Sequence, residues 1–295
     1  IKQYEGDKNL EKELKKTIYT EKIIPYFQPK VDLKTNGVRG IEALARWIHP
    51  ERGIISPGVF IPLAEKTGLI PKLDFLIAES TIKKLKKWIE EGRVPKDFKA
   101  SFNISVKTFE EVEVYEQIKH LLKKYELPGE NIEVEVTENI FINKLSKMLD
   151  ELKFLKEGLG TSIALDDFTA GHASLRGLSQ LTVDTLKFDK SLLQIIKENS
   201  EKGKNIYSTL AKLSKDMGYT SVAEGIEDDY EREFLKKEGI DYGQGFYFAK
   251  PMPEDKFIEF MDGRDDNSLH KKHLVEIIRQ EQKEVKIIEM YSGAL

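Results

Sequence analysis

Apolar residues recur at helical spacing between about Asn9 and Tyr19, which predicts an amphipathic opening helix. The period then drops to two. IIPYFQPKVDL (23–33) and GVRGIEALARW (37–47) alternate apolar with other residues around a turn at Asn36-Gly37, so the chain is expected to form an antiparallel hairpin there. Downstream, helix-length stretches separate short strand-like runs. A helix from about Lys72 to Ile89 closes at Gly92, ASFNISV (100–106) follows, and a second helix ends near Tyr125. IEVEV (132–136), SIALDD (162–167), TLKFD (185–189), TSVAEG (220–225) and GQGFYFA (243–249) complete the set. Counting both hairpin arms gives eight strands, the arithmetic of a modified TIM-like (β/α)8 barrel whose initial hairpin replaces one strand–helix–strand unit. A doubly wound sheet is the alternative.

The expected organisation is an N-terminal helix and linker over 1–22, a barrel over 23–262 and an amphipathic helical extension over 263–295. In the extension Leu274, Ile277, Ile278, Val285, Ile287 and Ile288 stand among many charges; the helix either packs back or serves dimerisation. The chain opens at Ile1 rather than Met, which suggests a fragment of a longer protein with a sensor or other domain ahead of it. No apolar run approaches the ~18 residues that span a bilayer. A cytoplasmic fragment without membrane contact is therefore expected, with room for a membrane-anchored parent.

A 40% hydrophobic, 33% charged chain of 295 residues can bury a large core, and disorder is not expected. The net charge of -4, with both signs interspersed, argues against a polymeric nucleic acid as partner, so an anionic ligand must be met locally. The absence of Cys removes thiolate metal sites and favours hard cations such as Mg2+ or Mn2+.

Active sites of such barrels lie where strands end and loops begin. Glu42 lies near the end of the second strand, Asn103 in the third, Glu135 in the fourth; Asp166 and Asp167 end the fifth and Glu224 the seventh. Period two sets Asn103 opposite Phe102 and Ile104, and Glu135 opposite Val134 and Val136, so both point toward the barrel axis. Several carboxylates buried together need balancing positive charge, which divalent metal supplies. One of the adjacent aspartates can bridge two ions roughly 3.5–4 Å apart. Lys187 and Asp189 sit two apart on one strand face, giving an ammonium near the ion pair with a carboxylate beside it. Gln244 between two glycines marks a close backbone approach.

Between about Tyr26 and Pro253 the chain reads FQPKVD from Phe27, EALARW from Glu42, then FNIS, EVTE, LDDF, LKFD, AEGIE and GQGF. With these motifs in this order the sequence resembles an EAL domain, a cyclic-di-GMP phosphodiesterase. The resemblance implies that Glu42, Asn103, Glu135 and Asp166 bind one metal. It implies that Asp166, Asp167 and Glu224, partly through water, serve a second. It adds Lys187 and Gln244 as active-site residues, Gln28, Leu44, Arg46 and Pro251 as the lining of the dinucleotide, and Glu138 as a tether of the loop after the aspartates. The implied reaction opens cyclic di-GMP to linear pGpG, and Arg46 can pair with the phosphate outside the metal pair. A homodimer and a GGDEF or sensor domain in the parent are further expectations.

One loop departs from the family pattern. D-D-F-G-T-G-Y-S-S-L reads here as Asp166 to Leu175 with Thr169, Ala170, His172 and Ala173 at the differing positions. Because that loop supports the second metal, it is expected to set turnover rate more than binding, and it motivates a second reading, a weakly active or silent receptor signalling through its helices. His172 reads as a loop or dimer contact, and His270 with His273 as solvated residues of the tail helix.

Overall fold

The computed structural model describes residues 8–138, 146–168, 178, 182–197 and 201–263. Helix α1 (Lys8–Thr17) buries Leu10 and Leu14, four apart on one stripe. Strands β1 (Ile23–Asp32) and β2 (Val38–His49) form the expected hairpin with Gln28 opposite Glu42. Its turn closes because Asp32 Oδ1 accepts the amide N–H groups of Lys34 and Thr35, each at 2.8 Å, and Asn36 adopts a left-handed φ of 58°. A short strand that the periodicity does not reveal, β3 (Gly53–Ile55), pairs with the far end of β2.

The chain then runs through α2 (Pro57–Lys66), α3 (Ile70–Glu90), β4 (Lys99–Asn103), α4 (Val106–Glu111), α5 (Val114–Tyr125) and β5 (Ile132–Thr137). It continues through α6 (Ser146–Leu159), β6 (Ser162–Phe168), β7 (Thr185–Phe188), α7 (Lys190–Lys197), α8 (Glu201–Asp216), β8 (Thr220–Ala223), α9 (Asp229–Glu238) and β9 (Tyr242–Gly243). A second unit starts at Glu254, and its described part is α10 (Glu254–Asp262). The tail helix expected over 267–290 lies outside the described residues.

Strands β2, β4, β5, β6, β7, β8 and β9 lie side by side in parallel, and β1 closes the ring antiparallel to both β9 and β2. The eight-stranded barrel is therefore closed, which rules out the doubly wound sheet. Barrel strands are buried on both faces: Ile132, Val134 and Val136 are fully covered on one side, Glu133 and Glu135 on the other.

Two local expectations need correction. Glu42 is not near the end of β2 but five residues into it. Only Gly40–Ala43 pairs with β4, so the strand continues beyond the ring paired with β1 and, from Trp47 to His49, with β3 on its other edge. The run GQGFYFA is not a strand either. A Cβ on Gly245 would fall 2.1 Å from the carbonyl oxygen of Ile226, and here the chain leaves the sheet in a turn held by Tyr247 N–H on Ile226 O. Gly243 still pairs as the last residue of β9, where side chains of Ile226 and Leu33 leave no room for a Cβ, whereas close backbone approach explains Gly245.

Candidate active site

Inward-facing residues form a polar layer inside the barrel. At its centre Lys187, fully buried on β7, places Nζ 2.7 Å from Glu135 Oε2, 2.8 Å from Glu224 Oε1, 2.9 Å from Asp166 Oδ1 and 3.3 Å from Glu42 Oε2. Four strands thus aim carboxylates at one ammonium. Asn103 Nδ2 donates to Glu42 Oε1 at 3.3 Å, and Gln244 Nε2 donates to Glu42 Oε2 at 2.7 Å and to Gln28 Oε1 at 3.0 Å. Gln28 in turn donates to Ala249 O at 3.1 Å, tying the turn after β9 to β1.

Adjacent residues on a regular strand point to opposite faces, so two neighbouring aspartates do not ordinarily serve one site. Here β6 carries a bulge: the register to β7 slips between Leu165 and Phe168, and Asp167 takes a left-handed φ of 54°. The bulge re-aims Asp167 beside its neighbour, a conformation aspartate tolerates better than most residues. Carboxylate oxygens of Glu42, Glu135 and Asp166 come within 4.8 Å of one another, as do those of Asp166, Asp167 and Glu224, so Asp166 belongs to both groups.

Electrostatically the layer is over-supplied with acid. Burial pushes Glu42 up to about 7 and Glu224 up to about 8, and the neighbouring carboxylates add to this while Lys187 opposes it. Burial also raises Asp166 and Asp167, with Glu135 and Asp189 respectively the acids that add most to it. Glu135 is the exception: burial opposes its ionisation, yet Lys187 and Lys30 together hold it well below the usual carboxylate range. A set of hard oxygen donors whose ionised forms lack enough counter-charge fits divalent cations such as Mg2+ or Mn2+. The side-chain carbonyl of Gln244, buried with no hydrogen-bond partner among the described residues, adds one more unused acceptor.

Above the layer, β2 carries Glu42, Leu44 and Arg46 on one face, opposite Gln28, Tyr26 and Ile24 of β1. Arg46 is partly buried, lies over the Tyr26 ring at 5.7 Å and donates to the Ala45 carbonyl at 2.8 Å. Pro251, half-buried, precedes Met252, whose backbone bridges to Phe27. Gln28, Leu44, Arg46 and Pro251 therefore flank one wall. Asp189 is placed differently from the Lys187 cluster: its carboxylate accepts the Ser191 N–H at 2.9 Å at the start of α7. Glu138 follows β5 directly and is buried, while the loop it was expected to tether, with Thr169 to Ala173 and His172, lies outside the described residues.

Periodicity reasoning passed over a second cation. Lys30 on β1 is buried, with Nζ 2.7 Å from Glu133 Oε2 and 2.8 Å from Glu135 Oε1; Thr185 Oγ1 donates to the other oxygen of Glu133 at 2.7 Å. Lys30 is two residues from Gln28, Glu133 two from Glu135, and Thr185 two from Lys187. The alternation that placed Glu135 inward therefore also places these three.

Comparison with known proteins identifies the family. Residues 11–251 match the EAL domain family. The chain is 30% identical over 246 residues to MucR of Pseudomonas aeruginosa, a bifunctional diguanylate cyclase/cyclic di-GMP phosphodiesterase, covering 83% of this chain and 35% of MucR. It is 31% identical over 248 residues to the cyclic di-GMP phosphodiesterase PdeR of Escherichia coli, covering 84% of this chain and 37% of PdeR. It thus spans little more than a third of these curated relatives. Among solved structures, the MucR phosphodiesterase in complex with cyclic di-GMP superposes with a TM-score of 0.79 at 30% identity, covering 84% of this chain and 99% of that one. Family match, ring order and acid-lined layer converge: the chain belongs to the EAL domain family.

Proposed function

We propose that this chain hydrolyses cyclic di-GMP to linear 5'-pGpG with two divalent ions, Mg2+ or Mn2+. The observation that carries this reading is the pair of carboxylate groups sharing Asp166 around Lys187. Glu42, Asn103, Glu135 and Asp166 would hold one ion, and Asp166, Asp167 and Glu224 the other. Bound there, the ions supply Lewis-acid polarisation of a phosphoryl oxygen and a nucleophilic water at neutral pH.

The chain's own residues do the rest. Lys187 keeps a fixed positive charge at the point where the acids converge, so negative charge developing on the phosphoryl group is met by an ammonium that does not have to be reorganised. Gln244 and Asn103 donate to the two oxygens of Glu42 and fix its orientation. Arg46, on the ribbon that rises above the layer, can pair with the second phosphate of a cyclic dinucleotide. Leu44, Pro251 and Gln28 offer mixed apolar and amide contacts to its bases. A silent receptor would be expected to have lost some of the candidate metal ligands, and the sequence retains all six. We further take a homodimer and a parent protein with additional domains as working expectations.

The test is direct. Purified chain incubated with cyclic di-GMP and Mg2+ or Mn2+ should yield pGpG, and chelator should stop it. Absence of pGpG at high enzyme concentration with either metal overturns the reading.

A further inference from the structure

The floor beneath the acid layer carries an observation that the ligand set does not use. Barrels of this type normally fill their interior with layers of bulky branched side chains. Here the inward positions below the acids include Gly40, Ser101, Ser162 and Thr220, and a cavity of about 110 Å³ opens among Lys30, Glu133, Thr185, Tyr242 and their neighbours. Packing alone therefore does not hold Glu135 from below; charge does. Glu135 is wholly buried, and its two oxygens are divided between two ammonium groups: Oε1 takes Lys30 at 2.8 Å and Oε2 takes Lys187 at 2.7 Å. Lys30 is itself fixed on the far side by Glu133, which Thr185 anchors through its remaining oxygen.

We infer that Lys30 is a positioning residue for the metal site: clamped by Glu133, it holds Oε1 of Glu135 and so fixes Oε2 on the side where Lys187 and the ion meet it. This rests on the two-metal reading above. A carboxylate free to rotate would give up orientation on binding an ion, whereas one already held from behind does not, and outer partners of ligands typically contribute 10–100-fold in metal affinity.

The experiment is Mn2+ titration of the whole chain by calorimetry, with thermal unfolding of each variant alongside. Lys30→Met should weaken Mn2+ binding about 10–100-fold and lower stability, because it leaves Glu133 and Glu135 buried without their ammonium. The double variant K30M/E133M replaces the floor pair by apolar side chains. It should regain thermal stability while Mn2+ binding stays weakened. Wild-type affinity in the double variant overturns the inference, since Lys30 would then serve only Glu133. Should the double variant not fold, E133Q decides. Its amide oxygen can still accept from Lys30 and leaves Lys30 on Glu135, so binding should match the unaltered chain, and a loss as large as that of K30M overturns the inference. Failure of the unaltered chain to bind Mn2+ overturns the metal reading and this one together, which separates the two failures.

Discussion

The acid layer and the floor below it are built from the same materials, buried carboxylates and a buried lysine, and they behave oppositely. On the floor the account closes: Glu133 accepts from Lys30 on one oxygen and from Thr185 on the other. In the layer above, Lys187 is the one cation among the described residues that ion-pairs with Glu42, Asp166 and Glu224, and it shares Glu135 with Lys30. Burial therefore drives Glu42 to about 7 and Glu224 to about 8. A satisfied buried network supports a fold, whereas one left short of positive charge is poised to take a cation.

The comparison breaks most sharply at Asp166, which belongs to both carboxylate groups. Asp166→Asn should reduce turnover by more than the roughly 100-fold seen for outer-shell changes, and Mn2+ titration should show both sites weakened. If the layer is short of counter-charge, the same substitution should leave the metal-free fold as stable as before or more so. Loss of stability comparable to the loss of activity would mean that the layer is structural.

A second test reads the imbalance directly. Glu42 and Glu224 have folded values above the ordinary 4.5, so between about 4.5 and 8 the folded chain binds more protons than the unfolded chain. The part of the metal-free protein's stability that these two groups supply must then fall as pH rises through that window, and be fully present below it. At about 2–4 °C per kcal/mol for a domain of this size, chelator-treated protein should lose several degrees of melting temperature between pH 5 and pH 8. Saturating Mn2+ should flatten the slope, because the ions take the place of the protons. A flat profile without metal would remove the contrast between layer and floor.

How much of this was readable beforehand depends on which physical signal carries it. The ring and its hairpin follow from period-two runs and the Asn36-Gly37 turn, and the inward placement of Asn103 and Glu135 follows from the apolar residues beside them. Three things escaped. The bulge that aims Asp166 and Asp167 into one site has no pattern in SIALDDF, since strict alternation would separate them. The last strand was overread because Phe246 and Phe248 look like strand residues, although only the approach of Ile226 to Gly245 decides that the chain turns. Lys30 and Glu133 were passed over for a different reason. A lone Lys or Glu in a strand usually faces solvent, whereas here the closed ring turns one face of the strand to the barrel axis and helices cover the other.

The floor can be probed without touching the layer. Thr185→Val removes the donor to Glu133 Oε1 and keeps the side-chain shape. Leaving a buried charged acceptor with one partner fewer should cost about 1–3 kcal/mol, read by denaturant unfolding. Mn2+ affinity should not change, because Lys30 still bridges Glu133 and Glu135. A matching loss of affinity would show that the hold on Glu135 depends on the Thr185 anchor as well as on Lys30.

The smallest expected effect lies outside the barrel interior, at a buried carboxyl balanced by neutral donors only. Asp74 on α3 accepts the Ser105 N–H at 2.8 Å and the Thr108 hydroxyl at 2.6 Å, both on Oδ2, and so holds the start of α4. Burial pushes it up to about 6 despite those hydrogen bonds. Its folded value lies above the ordinary 3.8, so its contribution to stability is greatest below about pH 4 and declines as pH rises through 6. Asp74→Asn keeps a carbonyl acceptor for the same two donors and removes the charge. It should change stability at pH 7 by less than about 1 kcal/mol and abolish this part of the pH slope, measured by thermal unfolding between pH 4 and pH 7. If the substitution costs several kcal/mol instead, ionisation of Asp74 is needed for the fold, and neutral donors suffice to keep a carboxylate buried here. The shortage of cations in the acid layer would then lose its force as an argument for metal.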